Sequence, residues 1–320
     1  MQKAPPTPKG FRDILPDLAK KRRQTINQIA DILEEFEFIP IETPTIEFAQ
    51  TLTGKYGEEE KLIYKFQDRG GRDLALRYDL TVPLARFIAN NQQLIANGPF
   101  RRYQIGQVFR GENPQHGRYR EFTQFDFDTV GSNRLGEDAK IISAAIKAAK
   151  KLGLKDAKMF INHKSNFEQV PLEVVRAIDK FYKIGMDGIK KELFKKNFTE
   201  EQIQKFIEQI ALKLRINVDS PSADLHRLNL FLKEEHKLEI GTDYDWDENL
   251  ARGIDYYTGA IFELKAGGKA EELTIGAGGR YDNLIGMFVH PDRGRTKKDI
   301  PAVGFSFGID RLIEAIDDTK

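Results

Sequence analysis

Two stretches of alternating apolar and polar residues flank a polar loop, and this pattern predicts a long β-hairpin between residues 100 and 131. Because side chains alternate between the faces of a strand, the returning strand has two different faces. One face carries Arg120, Phe122, Gln124, Asp126 and Asp128. The other face carries Thr123, Phe125, Phe127 and Thr129. The first face offers a cation, an aromatic ring, an amide and two carboxylates, although a solvent-facing strand of a plain sandwich shows the same pattern.

The remaining elements follow from the same two periodicities and from the turn residues that separate them. Apolar residues at helical spacing predict helices at residues 17–36, 82–91, 136–152 and 308–316. Short apolar or alternating runs predict strands at residues 38–48, 62–67, 74–78, 158–162, 260–264, 273–275 and 302–307. Two prolines in the segment 38–48 place it at a sheet edge or an interface. A dimer surface and packing within one subunit both fit the helix that leads into this segment.

The order of these elements predicts an α+β fold, an antiparallel sheet with flanking helices, because strands occur in sequential hairpins without a βαβ rhythm. Residues 165–240 differ from the rest, since they are rich in lysine and helical in pattern, with a capping box that begins at Thr199. We therefore expect residues 1–164 to form the first part of a core, residues 165–240 a helical insertion, and residues 241–320 the second part of the core.

The composition is that of a globular protein, with 50 Lys and Arg residues against 49 Asp and Glu residues among 320. Any phosphate-binding surface must therefore be local. The absence of cysteine excludes disulfides, thiolate nucleophiles and Cys-ligated zinc, and the five histidines are not at metal-ligand spacing. No apolar run approaches the length of a membrane span, and residues 1–13 lack the apolar core of a signal peptide. We expect a soluble, cytoplasmic protein.

Arginines around the predicted hairpin and before the last helix suggest a phosphate site, because a guanidinium stays charged and donates bidentately. They are Arg110, Arg118, Arg120 and Arg311. Each taken singly also fits a solvated surface arginine. Together with Phe122, which would stack on a base, they favour a nucleotide cradle.

Two carboxylates and two glycine-containing motifs are further candidates for a ligand-binding site. Asp79 and Asp128 would face a cationic group of a ligand, but surface pairing with arginines such as Arg77 fits them as well. The motif RGIDYYTG, residues 252–259, places an arginine before two tyrosines, and adjacent tyrosines are also common in cores. The motif GGRYD, residues 278–282, is typical of turns or of close backbone contact.

In combination, these motifs resemble the catalytic core of a class II aminoacyl-tRNA synthetase, and specifically the histidyl-tRNA synthetase family. The matching pieces are a helix and strand that end at Pro44, RYDLTVPLARF at residues 77–87, and FRGENPQHGRYREFTQFDFD at residues 109–128. RGIDYYTG and GGRYDNL are typical of the histidyl branch, and AVGFSFGIDRL at residues 302–312 completes the set. These pieces span nearly the whole chain in the order of the family.

The resemblance implies an ATP site with Mg²⁺. In the family the arginine at Arg110 holds the α-phosphate, and Glu112 lies on the adenine and metal side. Arg118 and Arg311 are expected at the γ-phosphate, with Phe122 stacked on adenine.

The resemblance also implies a histidine site. Its expected members are Asp79, Thr81, Gln124, Asp128, Arg252, Tyr256 and Tyr257. Asp79 and Gln124 would take the α-amino group, Asp128 and Tyr257 would approach the imidazole, and Arg252 would be an additional catalytic cation. No dedicated protein metal site is expected.

The implied activity is activation of histidine by ATP to histidyl-adenylate, followed by transfer to the 3′ end of tRNA(His) by a homodimer. Asp79 and Asp128 stand where many bacterial members carry Glu. Asn113 replaces an arginine that bacterial members use in acceptor-stem recognition, which leaves Gln115 as the expected acceptor contact. The sequence ends directly after the last motif, so the C-terminal anticodon-binding domain of the family is expected to be absent.

Two other functions are compatible with the same fold. A histidine-sensing regulatory subunit of ATP phosphoribosyltransferase lacks the anticodon domain, and a synthetase-like pseudoenzyme would sense uncharged tRNA. The arginines at residues 110, 118, 252 and 311 disfavour both, because a sensor has no transition state to neutralise.

Overall fold

The computed structural model describes residues 5–114, 117–251, 256–268, 270–289 and 299–318 of the chain. The strands are β1 Ile39–Pro40, β2 Ile46–Phe48, β3 Lys65–Gln67, β4 Asp73–Leu76, β5 Phe100–Phe109, β6 Glu121–Val130, β7 Lys158–His163, β8 Tyr244–Trp246, β9 Ala260–Gly267, β10 Ala270–Arg280 and β11 Ala302–Gly308. The helices are α1 Pro16–Glu35, α2 Ala49–Leu52, α3 Thr81–Asn90, α4 Leu135–Lys151, α5 Leu172–Ile178, α6 Phe181–Phe194, α7 Glu200–Asp219, α8 Asp224–Leu230 and α9 Ile309–Asp318.

Eight strands form one large sheet in the order β1-β5-β6-β11-β10-β9-β7-β8, and three form a small sheet in the order β2-β4-β3. The predicted hairpin is confirmed, since β5 and β6 pair antiparallel from Phe100 opposite Val130 to Phe109 opposite Glu121. The interior of the large sheet is antiparallel, as expected. Parallel pairing occurs at the two edges, where β1 joins β5 and β8 joins β7. The fold is therefore α+β, a large and mostly antiparallel sheet flanked by helices.

The two faces of β6 have the different roles that the alternation predicts. Phe125 and Phe127 are fully buried against Phe305 and Phe307 of β11. Helices α1, α4 and α9 cover this apolar face, and burial of such aromatic and aliphatic surface is the main source of fold stability. The opposite face carries the polar side chains of the strand and is open to the candidate site.

Strand β10 is longer than the sequence predicts, since the glycine-rich run up to Arg280 continues the strand beyond residue 275. A Cβ atom at Gly278 would lie 2.1 Å from the carbonyl oxygen of Gly304 on β11. The glycines of this run therefore mark strand backbone packed too closely for a side chain, and not a turn.

The proline-containing segment 38–48 forms two short strands. Strand β1 lies at an edge of the large sheet, which confirms the predicted edge position, and β2 belongs to the small sheet. Proline is tolerated there because an edge strand leaves one side without ladder hydrogen bonds. Ile39, Ile46 and Phe48 are about half exposed in the single chain.

Helices α5 to α8 follow β7 within the segment predicted to be an insertion. The capping box is confirmed, since Thr199 accepts from the backbone N–H of Gln202 and the Gln202 side chain accepts from the N–H of Thr199. Leu214, Leu225 and Leu228 pack in the same core cluster as the large sheet. The division into core and insertion stays a prediction. Within the described part of the chain, none of the helices combines the length and apolar character that a membrane crossing requires.

Candidate active site

A cavity of about 390 Å³ opens on the polar face of β6, between β10, β11, the start of α3 and the segment after β5. Every residue that the family resemblance assigns to the site, and that the structure describes, lines this cavity. They are Asp79, Thr81, Arg110, Glu112, Arg118, Phe122, Gln124, Asp128, Tyr256, Tyr257 and Arg311. The other two, Arg252 and Gln115, lie outside the described residues.

Arg120 does not join the other arginines, although the alternation places it on the same face. The strand begins one residue later, at Glu121. The Arg120 guanidinium instead donates to the carbonyl oxygens of Glu112, at 2.9 Å, and Lys9, at 3.3 Å. Its function is to fix the loop backbone, so the prediction that it contributes to the cradle is wrong.

Strands β6 and β11 set the spacing of the polar groups. Gln124, Asp126 and Asp128 point into the cavity from alternate positions of β6. Their neighbours on β11 are small, and Gly304 lies opposite Asp128. A Cβ atom at residue 304 would lie 1.8 Å from Oδ1 of Asp128. The glycine is therefore what leaves room for the Asp128 carboxyl group.

The floor of the cavity is acidic and shielded from water. We define it by the carboxyl groups of Asp79, Asp126 and Asp128, none of which is more than 5% exposed, and the Arg102 guanidinium, which is fully buried. Burial disfavours the charged form of a carboxyl group and raises the pKa of each aspartate. The pKa of Asp126 rises to about 7, because the opposing effect of Arg102 is smaller than burial and Asp128 adds repulsion.

Asp79 is held where α3 begins. Its Oδ1 accepts hydrogen bonds from the Tyr56 hydroxyl and from the backbone N–H of Val82, both at 3.0 Å. The second contact satisfies an N–H in the first turn of the helix. The N–H and hydroxyl donors oppose the effect of burial on the Asp79 pKa.

Asp128 is held between two buried groups. Oδ2 lies 2.6 Å from Nη2 of Arg102, an ion pair across strands β5 and β6, and the Tyr281 hydroxyl donates to Oδ1. Surface pairing of Asp79 or Asp128 with Arg77 is excluded. The Arg77 side chain is itself buried and donates to the carbonyl oxygens of Gln107 and Thr43.

The mouth of the cavity, which we define by Arg110, Arg118 and Arg311, is basic. The Arg110 guanidinium lies 4.3 Å from the ring centre of Tyr78 and 5.2 Å from that of Phe122, and its Nε donates to the Tyr78 carbonyl oxygen at 3.2 Å. The aromatic faces fix the position of the guanidinium and leave its charge available to an anion.

Two further arginines face each other at the mouth. Arg118 is half-exposed and lies 3.8 Å from a Glu112 carboxylate oxygen, whereas Arg311 is partly buried and donates to the Thr274 carbonyl oxygen at 3.5 Å. Burial and the positive charge of Arg118 lower the pKa of Arg311. Two like charges held together in this way favour the binding of an anion between them.

Tyr256, Tyr257 and Tyr281 form an aromatic wall of the cavity, and a buried ion pair that the sequence does not reveal holds this wall in place. Arg280 of the GGRYD motif pairs with Asp138 of α4, and its carbonyl oxygen accepts from the N–H of Thr258 at 2.8 Å. The Tyr256 ring lies 5.1 Å from that of Tyr257 and 5.9 Å from that of Tyr281. The GGRYD motif therefore holds the tyrosines of the RGIDYYTG motif in position.

Several cavity residues were not predicted. They are Tyr56, Glu59, Tyr78, Asp126, Tyr281 and Ser306. Alternation had placed Asp126 on the correct face, so a signal for it existed. Tyr78, Tyr281 and Ser306 lie within the motifs RYDLTVPLARF, GGRYD and AVGFSFGIDRL, which therefore offered a signal, whereas Tyr56 and Glu59 lie outside these motifs.

Comparisons with known proteins agree with the geometry. The histidyl-tRNA synthetase family model matches residues 10–312. The histidine--tRNA ligase of Aeropyrum pernix is 40% identical over 339 residues, which cover 97% of this chain and 74% of the relative.

Solved structures give the same result. A histidyl-tRNA synthetase from Nostoc superposes with a TM-score of 0.79 at 26% identity, covering 99% of this chain and 76% of the other. An ATP phosphoribosyltransferase regulatory subunit/histidyl-tRNA synthetase from Bacillus halodurans has the same TM-score of 0.79 at 23% identity, covering 99% and 85%, and shows the shared fold. The match to the family and the identity to its members establish that this chain belongs to the histidyl-tRNA synthetase family.

Proposed function

We propose that this protein is a histidine--tRNA ligase, which activates L-histidine with ATP and transfers the histidyl group to the 3′ end of tRNA(His). The observation that carries the proposal is a single cavity with an acidic, buried floor and a basic mouth. Such a cavity suits two substrates at once, an amino acid with a cationic α-amino group and a nucleotide with a polyphosphate. Membership of the family supports the same reaction.

The floor would bind histidine. Asp79 and Gln124 would take the α-ammonium group, and Asp128 with Tyr257 would lie at the imidazole end. Thr81 and Tyr256 would complete the pocket, as their positions in the cavity lining support. A site of buried hydrogen-bonding partners rejects amino acids that leave those partners unpaired, so discrimination does not depend on size alone.

The mouth would bind ATP. Phe122 would stack on adenine, Arg110 would hold the α-phosphate, and Arg118 with Arg311 would hold the γ-phosphate. The like-charge repulsion between Arg118 and Arg311 supports this assignment, because a phosphate would relieve it.

Mg²⁺ fits this donor set if it arrives with the nucleotide. Among the described residues no group of three or more His, Asp or Glu side chains is arranged to hold a metal ion. Mg²⁺ is commonly bound through one or two carboxylates plus substrate phosphates, and Glu112 is the carboxylate that would serve here. When bound, the ion would neutralise phosphate charge.

The first reaction would need alignment more than a strong base. A carboxylate oxygen of histidine attacks the α-phosphorus, the bond from this phosphorus to the bridging oxygen breaks, and pyrophosphate leaves. Arg110 would neutralise the charge that develops at the α-phosphate, with Arg252 as a second cation. In the second reaction a terminal ribose hydroxyl of the tRNA attacks the carbonyl carbon, and AMP leaves.

The remaining parts of the proposal concern assembly and tRNA. We propose a cytoplasmic homodimer formed through the region of β1 and β2, which the exposed Ile39, Ile46 and Phe48 support. We also propose that the chain contacts the acceptor stem of tRNA(His), with Gln115 as one contact.

The regulatory-subunit alternative is not better supported. The similarity to the Bacillus halodurans protein is a similarity of fold at 23% identity. A histidine sensor would have no need of three arginines around one end of its cavity.

The experiment is ATP–pyrophosphate exchange on the purified chain with histidine and, separately, with each other amino acid. We expect exchange that depends on histidine, followed by charging of tRNA(His). A folded protein that binds histidine without supporting exchange would contradict the proposal and favour the regulatory alternative.

A further inference from the structure

The two aspartates deepest on β6 differ in what occupies their oxygens. Asp128 has a neighbour at each oxygen, since Tyr281 donates a hydrogen bond to Oδ1 and Nη2 of Arg102 forms an ion pair with Oδ2 at 2.6 Å without hydrogen-bond geometry. Asp126 is 2% exposed and lines the cavity, yet among the described residues its Oδ1 has no hydrogen-bond partner. A buried acceptor left without a donor is costly, which suggests that a ligand supplies the donor.

Polar neighbours enclose the Asp126 carboxyl group. Ser306 lies opposite Asp126 on β11 and opposes the effect of burial on the Asp126 pKa, and the Gln124 side-chain amide donates to Ser306 Oγ at 2.8 Å. The carboxyl group is therefore held on the cavity wall while its Oδ1 lacks a hydrogen-bond partner. A group that is both enclosed and unsatisfied is preorganised for binding.

The position of Asp126 suits the side chain of an amino acid. Same-face residues along a strand are about 7 Å apart, so Asp126 lies one such step beyond Gln124. If Asp79 and Gln124 hold the α-amino group, the ring of a bound histidine reaches the next position along β6.

The charges of the floor also favour a ligand that donates a hydrogen bond to Asp126. The three buried carboxyl groups lie near two buried guanidiniums, Arg102 and Arg77, with Arg110 as a further cation near Asp79. The pKa of Asp126, about 7, means that this group holds a proton part of the time at neutral pH when no ligand is present. A ligand with a ring N–H supplies the missing positive hydrogen and favours the ionised carboxylate.

We propose that Oδ1 of Asp126 accepts a ring N–H of the substrate imidazole, and that Asp128 is a positioning residue held by Arg102 and Tyr281. This proposal rests on the function proposed above. It assigns recognition of the ring to a residue that the alternation placed on this face of β6 but to which the family resemblance gave no role.

The test compares histidine with β-(2-thiazolyl)alanine, whose ring has a similar shape but no N–H. The kcat/KM for exchange is measured with each, or the inhibition constant where the analogue is not activated. The variants are Asp126→Asn, Asp126→Ala and Asp128→Asn. Glu121→Gln is the matched control, because it makes the same chemical change on the same strand outside the cavity.

We expect Asp126→Ala to raise the KM for histidine at least about tenfold, the usual effect of losing a hydrogen bond to a charged group. The preference for histidine over the analogue should fall most in Asp126→Ala and less in Asp126→Asn, which keeps an acceptor. Asp128→Asn should weaken binding of both compounds and leave their ratio within about twofold. ATP affinity and the melting temperature report whether each variant is folded.

The proposal is overturned if the ratio falls in Asp128→Asn and not in the Asp126 variants, because Asp128 would then be the ring contact. It is also overturned if no variant changes the ratio. Absence of histidine-dependent exchange in the unmodified protein is a different result, which removes the proposed function itself.

Discussion

The floor and the mouth of the cavity have opposite charges and different exposure to water. The carboxyl groups of the floor are almost completely buried, whereas Arg118 at the mouth is half-exposed. Burial makes protonation the variable that controls the floor, because it shifts carboxyl pKa values towards neutrality. Exposure makes ionic strength the variable that controls the mouth, because salt screens charges in contact with solvent. We therefore expect the pocket to respond to pH at one end and to salt at the other.

The largest effect is expected at the junction of the two regions. Arg110→Ala should lower the rate of histidine-dependent exchange by about 10³-fold, because it removes the cation proposed to face the reacting phosphate. Histidine affinity should change little. Exchange at saturating histidine and a histidine binding titration separate these effects.

Arg72→Ala is the matched control, since its guanidinium is exposed and pairs with Asp68. A loss below tenfold in Arg110→Ala would show that this arginine does not act on the reacting centre.

A second prediction concerns a substitution that disturbs the floor alone. Gly304→Ala would place a methyl group 1.8 Å from Oδ1 of Asp128 and displace that carboxyl group. We expect histidine affinity to fall by about 100-fold and stability by about 1–3 kcal/mol, as is usual for overpacking. Equilibrium binding of histidine and ATP measures the effect, and ATP binding should persist. In Gly136→Ala the added methyl meets ordinary contacts at 3.6 Å from Phe231, so this control should behave like the original protein.

A third prediction tests the mouth alone. Arg118→Ala should raise the KM for ATP about tenfold, the range of a charge-assisted contact. The difference from the original protein should shrink as salt is added, because an exposed charge is screened. Kinetics over a series of salt concentrations measure this. A difference that does not depend on salt would contradict the solvent-exposed role of Arg118.

The smallest effect concerns stability. The pKa of Asp126 is raised from 3.8 to about 7 in the folded protein. Between these values the folded state binds a proton that the unfolded state has lost, so rising pH lowers the stability contributed by this group until about pH 7. The charged groups that act on Asp126, namely Arg77, Arg102, Asp79 and Asp128, are unchanged in Asp126→Asn.

Asp126→Asn should therefore melt higher than the original protein at pH 8, by on the order of 5 °C, with a smaller difference at pH 5. Thermal melts at several pH values measure this, with Glu121→Gln as the control. A constant difference across the range would mean that Asp126 does not titrate there.

Local patterns in the sequence were sufficient for the elements that form by local rules. Alternation found β5 and β6 and assigned the correct face to Gln124, Asp126 and Asp128. Helical periodicity and capping signals located α4 and the start of α7 within a residue or so. The family resemblance then supplied residues that the fold brings into one cavity.

Contacts between distant segments were not accessible in the same way. Arg280 and Asp138 are 142 residues apart, and only the folded chain reveals that they pair. A cation in the middle of a strand, such as Arg102, ordinarily signals exposure, but this one is fully buried beside Asp128. Arg120 shows a different error. Alternation assigned it to the cavity face, but it lies just before β6 begins at Glu121, and its guanidinium binds loop carbonyl oxygens instead.

The glycines of the sheet also limit how the substrate range can be changed. Gly276, Gly278 and Gly304 line the cavity and already present the smallest possible wall, so no substitution there enlarges it. An enzyme redesigned for bulkier ring analogues must gain its space from the aromatic side, by shortening Tyr256 or Tyr257. The glycines also differ in how they resist an added carbon: a Cβ atom at residue 276 or 278 would meet the Phe305 ring at 2.5 Å or the Gly304 carbonyl oxygen at 2.1 Å, whereas a Cβ atom at residue 304 would meet the Asp128 carboxyl group. Narrowing of the binding space by substitution is therefore possible only at residue 304 among these three.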